Sequence, residues 1–514
     1  MTRSPRPEGG ITLYTGHGFN DWGIGDVDVL KVGDTYHLFH LVLPNHAYIA
    51  HATSTDGLNW TRVHNALFIG DPGAWDDDML WTMHVSPDPH HDGRWRMLYT
   101  GLCREESGRI QRIGLAVSDD LYSWRKVEDG VWPMEIRGPH YESTLREGRH
   151  WVSFRDPFFC RVGDEGWLLA SARVPTGPVN RRGCVFLAVE TAPGHFAARE
   201  PLMTLHQYDD IEVPVLVPLG GRWYVIGSIR EDTKVHYWLA EQPEGPYGNF
   251  ADNVLLPAGN YAARVCDEGD RVTLWNFFYV ASRVKGTGNM LPPPKELIAD
   301  ADGQLHLRSY RGFDQMVTNS HTVDKLSALR TLTGNQDAVV SRDDGTCSFG
   351  SDTAFEIFLL PGTYRNFRLR GRLEMTGRGK CGLVLRLSDE SDGYFISLEL
   401  VKGLAQIRAW GNNPGGGIEE AFIYRPLQAN YFLTGGLRPH DFELIAFGDY
   451  IELSIDGDVL LSLADDTYGE GAVGFYAEGT HLRVHDMTLQ ELRVFEAESW
   501  SGADEPPPDS LRGT

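Results

Sequence analysis

The chain has 514 residues, with 47 basic against 71 acidic side chains and a formal charge of −24. At roughly 150 residues per domain, this length implies two to four domains, or two large all-β ones. Hydrophobic residues at 41% supply real cores and exclude a disordered chain, and the acidic balance argues against nucleic acid or an anionic membrane as partner.

The opening MTRSPRPEGG has no apolar run behind its basic residues, so no secretory signal is read there. No stretch approaches the ~18 apolar residues of a membrane span. Six cysteines (Cys103, Cys160, Cys184, Cys266, Cys347, Cys381) are scattered without CxxC spacing. They are expected as free, mostly buried thiols in a reducing cytoplasm, with no zinc site or disulfide framework.

The first 320 residues repeat. YIAHATSTDGLNW from Tyr48 returns as IGLAVSDDLYSW from Ile113, with weaker echoes from Val185 and Val235. A second motif joins an apolar run, a Gly turn and an aromatic-rich strand. It reads GDVDVLKVGDTYHLFHL, WRMLYTG, RDPFFCRVGDEGWLLASA, EVPVLVPLGGRWYVIGS and YAARVCDEGDRVTLWNFF. Five such units, each of about four strands, predict a five-bladed β-propeller over residues 1–320. The pattern breaks at Leu291-Pro292-Pro293-Pro294. From about Val323, long alternating strands with Asp-Gly turns at Asp392-Gly393 and Asp456-Gly457 predict a β-sandwich over 321–498. Residues 499–514 form an expected frayed tail. The fold class is all-β.

Inner propeller strands converge on the central axis, so carboxylates far apart in sequence can share one pocket. Asp156 lies seven residues before Gly163, Glu212 eight before Gly220 and Asp26 seven before Gly33. The fifth unit has Tyr261 at the comparable place, so acidity there is not a feature of the repeat itself. Three converging carboxylates suit glycoside cleavage, with one as nucleophile or base, one as acid and one holding hydroxyls.

At these residues the first 310 positions resemble glycoside hydrolase family 32, the invertase and fructanase family. Phe154-Arg155-Asp156-Pro157 matches its FRDP motif, and the segment from Glu212 to Leu219 is similar to its ECPDLFPL-like stretch. Tyr36-His37-Leu38-Phe39, the HATSTDGLNW segment, Gly259-Asn260-Tyr261-Ala262-Ala263 and the Leu291–Leu297 joint follow in the family's order. The resemblance implies a transition-state stabiliser at Asp156 and an acid/base at Glu212. The family's WMNDPNG nucleophile motif is replaced by FNDWGIGDVD from Phe19, where the repeat spacing favours Asp26 over Asp21 or Asp28.

Substrate contacts are expected from Arg155, Trp75, Trp81, Asp78, Tyr261 and Asp28, with His84 facing the pocket and His37 and His51 behind it. The Asp76-Asp77-Asp78 run is read as a surface cluster and not as a metal site. The implied activity is a retaining glycosidase on a β-fructofuranoside or related furanoside, using a neutral oligosaccharide and no metal or organic cofactor. The alternatives are an inverting arabinofuranosidase- or xylosidase-like enzyme, a fructosyltransferase and a non-catalytic carbohydrate-binding protein. The sandwich is read as support for the propeller, with glycan binding or a homo-oligomer interface as its other roles.

Overall fold

The computed structural model describes residues 13–16, 23–250, 252–279, 289–322, 329–343, 345–413, 421–433 and 436–493. Asp21 and the 499–514 tail lie outside the described residues.

Five antiparallel sheets of four or five strands follow one another along the chain, each built from a contiguous segment. Their inner strands are Ile24–Val32, Met79–Pro87, Arg155–Val162, Glu212–Leu219 and Asn260–Asp267. Each packs against the next, and the fifth against the first, so the ring is closed. Both faces of a blade are buried, because neighbours cover each side. In the first blade, Val27, Val29, Tyr36, Leu38 and Ala52 meet Trp275 and Phe277 of the fifth. Phe39, Leu41 and Ile49 point the other way, toward Leu80, Met83, Met97 and Tyr99 of the second. The period-2 alternation of a strand thus sorts hydrophobic residues onto two cores rather than one core and solvent. Polar contacts finish the closure: Glu268 accepts from Lys31 Nζ at 3.2 Å and from the Tyr36 hydroxyl at 2.7 Å.

In the second blade, the WRMLYTG segment is the second strand, Trp95–Leu102, and the inner strand Met79–Pro87 precedes it. A longer connection separates the pair, which obscured the repeat at that point.

The chain enters the second domain at Val317–His321, which pairs with the 21-residue strand Ala472–Leu492. That long strand also pairs with Thr346–Leu359, Phe367–Thr376 and Lys380–Leu387, with register shifts that bend it between the layers. The sandwich core gathers Phe349, Phe367, Leu383, Ile396, Leu444 and Phe475. Asp456-Gly457 is the two-residue hairpin that its sequence predicts, with φ values of 53° and 87°. Asp392-Gly393 instead ends a longer loop after Leu387. Phe278, Met290, Phe313, Phe447 and Tyr450 weld the domains together. A cleft of about 430 Å³ beside this seam is lined by Arg308, Tyr310, Arg368, Arg372 and Glu443, and none of the three candidate carboxylates enters it.

Candidate active site

All five inner strands carry a β-bulge near their start, which frees residues from the ladder and turns them toward the axis. Arg155, Glu212 and Tyr261 are the last paired residues before it. The residue after each, Asp156, Val213 and Ala262, has φ between 50° and 61°. Left-handed backbone is costly for these residues, Val213 above all, and it is held by the surrounding ring. In the third and fourth blades the next residue is Pro157 or Pro214, which has no N–H to offer and fits an unpaired position; in the fifth it is Ala263. In the first blade the corresponding register is Ile24, Gly25, Asp26. Counted from the bulge, Glu212, Asp156 and Asp26 therefore occupy three successive positions, not one shared offset.

The structure brings these three carboxylates together. Thr82, on the second inner strand, has its hydroxyl on Asp26 Oδ2 and 2.8 Å from Asp156 Oδ1. The other Asp156 oxygen accepts the Val213 N–H at 3.0 Å, and Arg155 Nε is 3.5 Å from it. Arg155 Nη2 reaches both Glu212 Oε1 and Asp210 Oδ2, the latter at 3.0 Å. Arg230 adds a second guanidinium to Glu212 Oε1 at 2.7 Å, and the Tyr261 hydroxyl donates to Oε2.

Burial raises the proton affinity of Asp26, and the charges of Asp156 and Glu212 raise it further. The Thr82 hydrogen bond and Arg264 oppose this, leaving Asp26 at about 7. Burial raises Asp156 as well, against Arg155. For Glu212, burial is overcome by Arg155, Arg230 and the Tyr261 hydroxyl, which hold its carboxyl below the usual range. One hydroxyl proton on Thr82 cannot serve two carboxylates at once. A proton on Asp26 completes that contact, and burial with the neighbouring carboxylates favours it there below about pH 7.

Arg155 and Tyr261 are at the site as the sequence suggested. Asp28 is not: Val85 N–H donates to it at 2.6 Å and His84 Nδ1 lies 3.2 Å away, so it pins the first inner strand to the second. The bulge breaks the alternation that would have put Asp28 on the Asp26 face. His84 also turns inward, with Nε2 3.0 Å from the Phe159 carbonyl. Trp75 stacks on Tyr99 over Gly101, where a Cβ would come within 2.4 Å of its ring. Asp78 sits at the blade rim, 3.7 Å from Arg104. Neither shares a partner with the carboxylates. Trp81 adjoins Thr82, and its buried indole N–H has no hydrogen-bond partner. Asp76 and Asp77 serve the fold, the first bonded to Tyr99 and Lys126, the second to backbone N–H groups of Gly73 and Arg104.

Sequence reasoning named Thr82 only beside Trp81, without a role, and missed Asp210 and Arg230. Thr82 was legible in principle, because MLWTMHVSP precedes a DGRW turn as the other inner strands precede theirs.

Residues 28–184 match the family model described as Glycosyl hydrolases family 32 N-terminal domain. That part of the propeller is similar to the family 32 domain. Solved structures with the same two-domain fold include sucrose-6-phosphate hydrolase from Lactobacillus gasseri, with 14% identity and a TM-score of 0.67 over 95% of this chain and 93% of that one. Fructan 1-exohydrolase IIa from Cichorium intybus aligns with 14% identity and a TM-score of 0.68, covering 94% and 97%. Exo-inulinase from Aspergillus awamori aligns with 13% identity and a TM-score of 0.67, covering 96% and 100%. No curated protein sequence matches. The stretch resembling family 32 contains Asp156 but begins after Asp26 and ends before Glu212, so the roles of those two rest on geometry.

Proposed function

We propose that this chain is a retaining glycosidase acting on β-fructofuranosides or related furanosides, on the pattern of family 32. The observation that carries this reading is the meeting of Asp26, Asp156 and Glu212, from three inner strands, around Thr82 and Arg155. Asp26 attacks the anomeric carbon and forms a glycosyl-enzyme. Glu212 gives its proton to the leaving oxygen, then takes one from the water that releases the sugar. Asp156, held by Val213 N–H and Arg155, accepts hydrogen bonds from ring hydroxyls as positive charge develops.

This chemistry needs Asp26 ionised and Glu212 protonated, whereas the free site favours the reverse. The two share a proton, so the productive form is the minority arrangement of the singly protonated pair. Substrate that displaces Arg230 from Glu212 moves the proton toward it. The same electrostatics favours a second reading, inversion in a single step, with Glu212 as base and Asp26 as acid. The anomer first released from a fructosyl, arabinosyl or xylosyl oligosaccharide, followed by NMR, decides between them. Retention supports the double displacement, and inversion overturns it.

The substrate in this reading is a neutral oligosaccharide, and the proposed compartment is the cytoplasm, supported by six free cysteines, four of them buried.

A further inference from the structure

Arg264 lies on the fifth inner strand, three residues after Tyr261, and is wholly buried. Its guanidinium reaches backbone carbonyls of three other blades: Pro157 at 2.9 Å, Pro214 at 3.2 Å and Met83 at 3.4 Å. Each of these belongs to a bulged segment that carries the site. Met83 follows Thr82, Pro157 follows Asp156, and Pro214 lies two residues after Glu212. Its Nε is 3.9 Å from Asp28 on the remaining inner strand and has no hydrogen-bond partner. The Phe158 ring lies 5.5 Å from the guanidinium carbon.

One side chain therefore touches the inner strands of all four other blades. Burying a guanidinium is expensive, and an aliphatic side chain would fill the axis at lower cost if packing were the only need. Burial lowers the proton affinity of Arg264, and Asp28, Asp156 and Asp26 counter that effect, in that order. The groups facing it are Asp26 and Asp28 on the first strand, His84 on the second through Asp28, and Asp156 on the third. Glu212 on the fourth acts on Asp26.

We propose that Arg264 is a positioning residue that holds the bulged segments of Thr82, Asp156 and Glu212 in register and supplies the positive charge beneath Asp26 and Asp156. The proposal rests on the catalytic roles given to those carboxylates above. Arg264 touches no substrate. It acts through the carbonyls, which set where the carboxylates stand, and through its charge, which favours their ionised forms. Lysine keeps the charge, but its single ammonium cannot present the planar fork that spans three carbonyls.

The test compares R264K and R264M with D26N, E212Q and the parent protein on a chromogenic β-fructofuranoside, with kcat and KM measured across pH and the melting temperature recorded. R264K is expected to lose ~10²-fold in kcat with little change in KM, as expected for displaced catalytic groups. R264M is expected to lose more, and its basic limb of kcat/KM moves up by ~1 pH unit because Asp26, which holds the higher affinity of the pair, loses a favourable charge. R264K, retaining the charge, leaves that limb near its parental place. If R264M does not fold, the kcat of R264K decides. Parental kcat in folded R264K, or an unmoved basic limb in folded R264M, overturns the proposal while D26N and E212Q remain inactive. Full activity in D26N and E212Q overturns the catalytic reading, and the proposal with it.

Discussion

At the propeller's axis, Asp26, Asp156 and Glu212 face one another around Arg155, while the sandwich core of Phe349, Leu383, Ile396, Leu444 and Phe475 is hydrocarbon. The sandwich also buries charge, but in a different manner. Glu356 accepts backbone N–H groups from Leu332, Thr333, Asn335 and Ile357, and Arg386 donates to carbonyls of Arg365, Gly448 and Tyr468. Those groups finish loops, and each faces partners of complementary character. Asp26 and Asp156 face each other across a single hydroxyl. Like charges held together cost stability. In the sandwich, burial, Asp466 and Asp465 raise Asp449 to about 6, but at the propeller axis two carboxylates share one hydroxyl, and that sharing separates the site from the scaffold.

That contrast can be broken most sharply at the carboxylates. D26N and E212Q are each expected to lower kcat by roughly 10³-fold or more on a fructosyl substrate, without unfolding the protein. The stability consequence runs the other way for Asp26. Its folded proton affinity is raised to about 7, so the native state binds the extra proton between the unfolded value and 7. Its contribution to stability therefore falls as pH rises through that window. D26N should melt above the parent at pH 8, and a lower melting temperature there would contradict the assigned strain.

In the sandwich, F475A is expected to cost about 3–5 kcal/mol by denaturant unfolding, as cavities in close-packed cores do, while the folded fraction keeps its kcat. A catalytic defect in well-folded F475A would give the sandwich a part in the chemistry. Next in size is T82V. Loss of the hydroxyl removes a hydrogen bond that favours ionised Asp26, so the basic limb of kcat/KM, which the higher affinity of the pair sets, moves above about 7 and the rate falls ~10-fold as the productive form becomes rarer. A limb moving to lower pH would contradict this. The smallest effect belongs to Y261F. Its hydroxyl helps keep Glu212 ionised, so its loss moves the acidic limb, set by the lower affinity of the pair, slightly upward. A downward move would count against Glu212 as the group that carries the acid proton.

Much of the architecture was written locally. Alternation, Gly turns and the returning HATSTDGLNW-like segment carried five blades, and Asp456-Gly457 carried a hairpin, because strand faces and tight turns are properties of a few neighbouring residues. The candidate nucleophile was narrowed by spacing to Asp26, which the structure places beside Asp156. The reason given by spacing was nonetheless incomplete. The equal offsets from the Gly turns conceal a bulge that shifts the register, and the same bulge sends Asp28 toward His84 and Val85 instead of the site.

The sequence by itself determined an all-β chain, a repeated domain followed by an alternating one, and Asp156 and Glu212 within recognisable motifs. Only the tertiary structure decided which side chains share the axis. Asp210, Arg230 and Arg264 carry no signature in their own segments, and that of Thr82 marks an inner strand without naming its partners. Their importance arises where segments 18 to 181 residues apart are brought within hydrogen-bond distance. A pKa of about 7 at Asp26 is likewise invisible to any local reading, because it is set by burial and by two carboxylates on other blades.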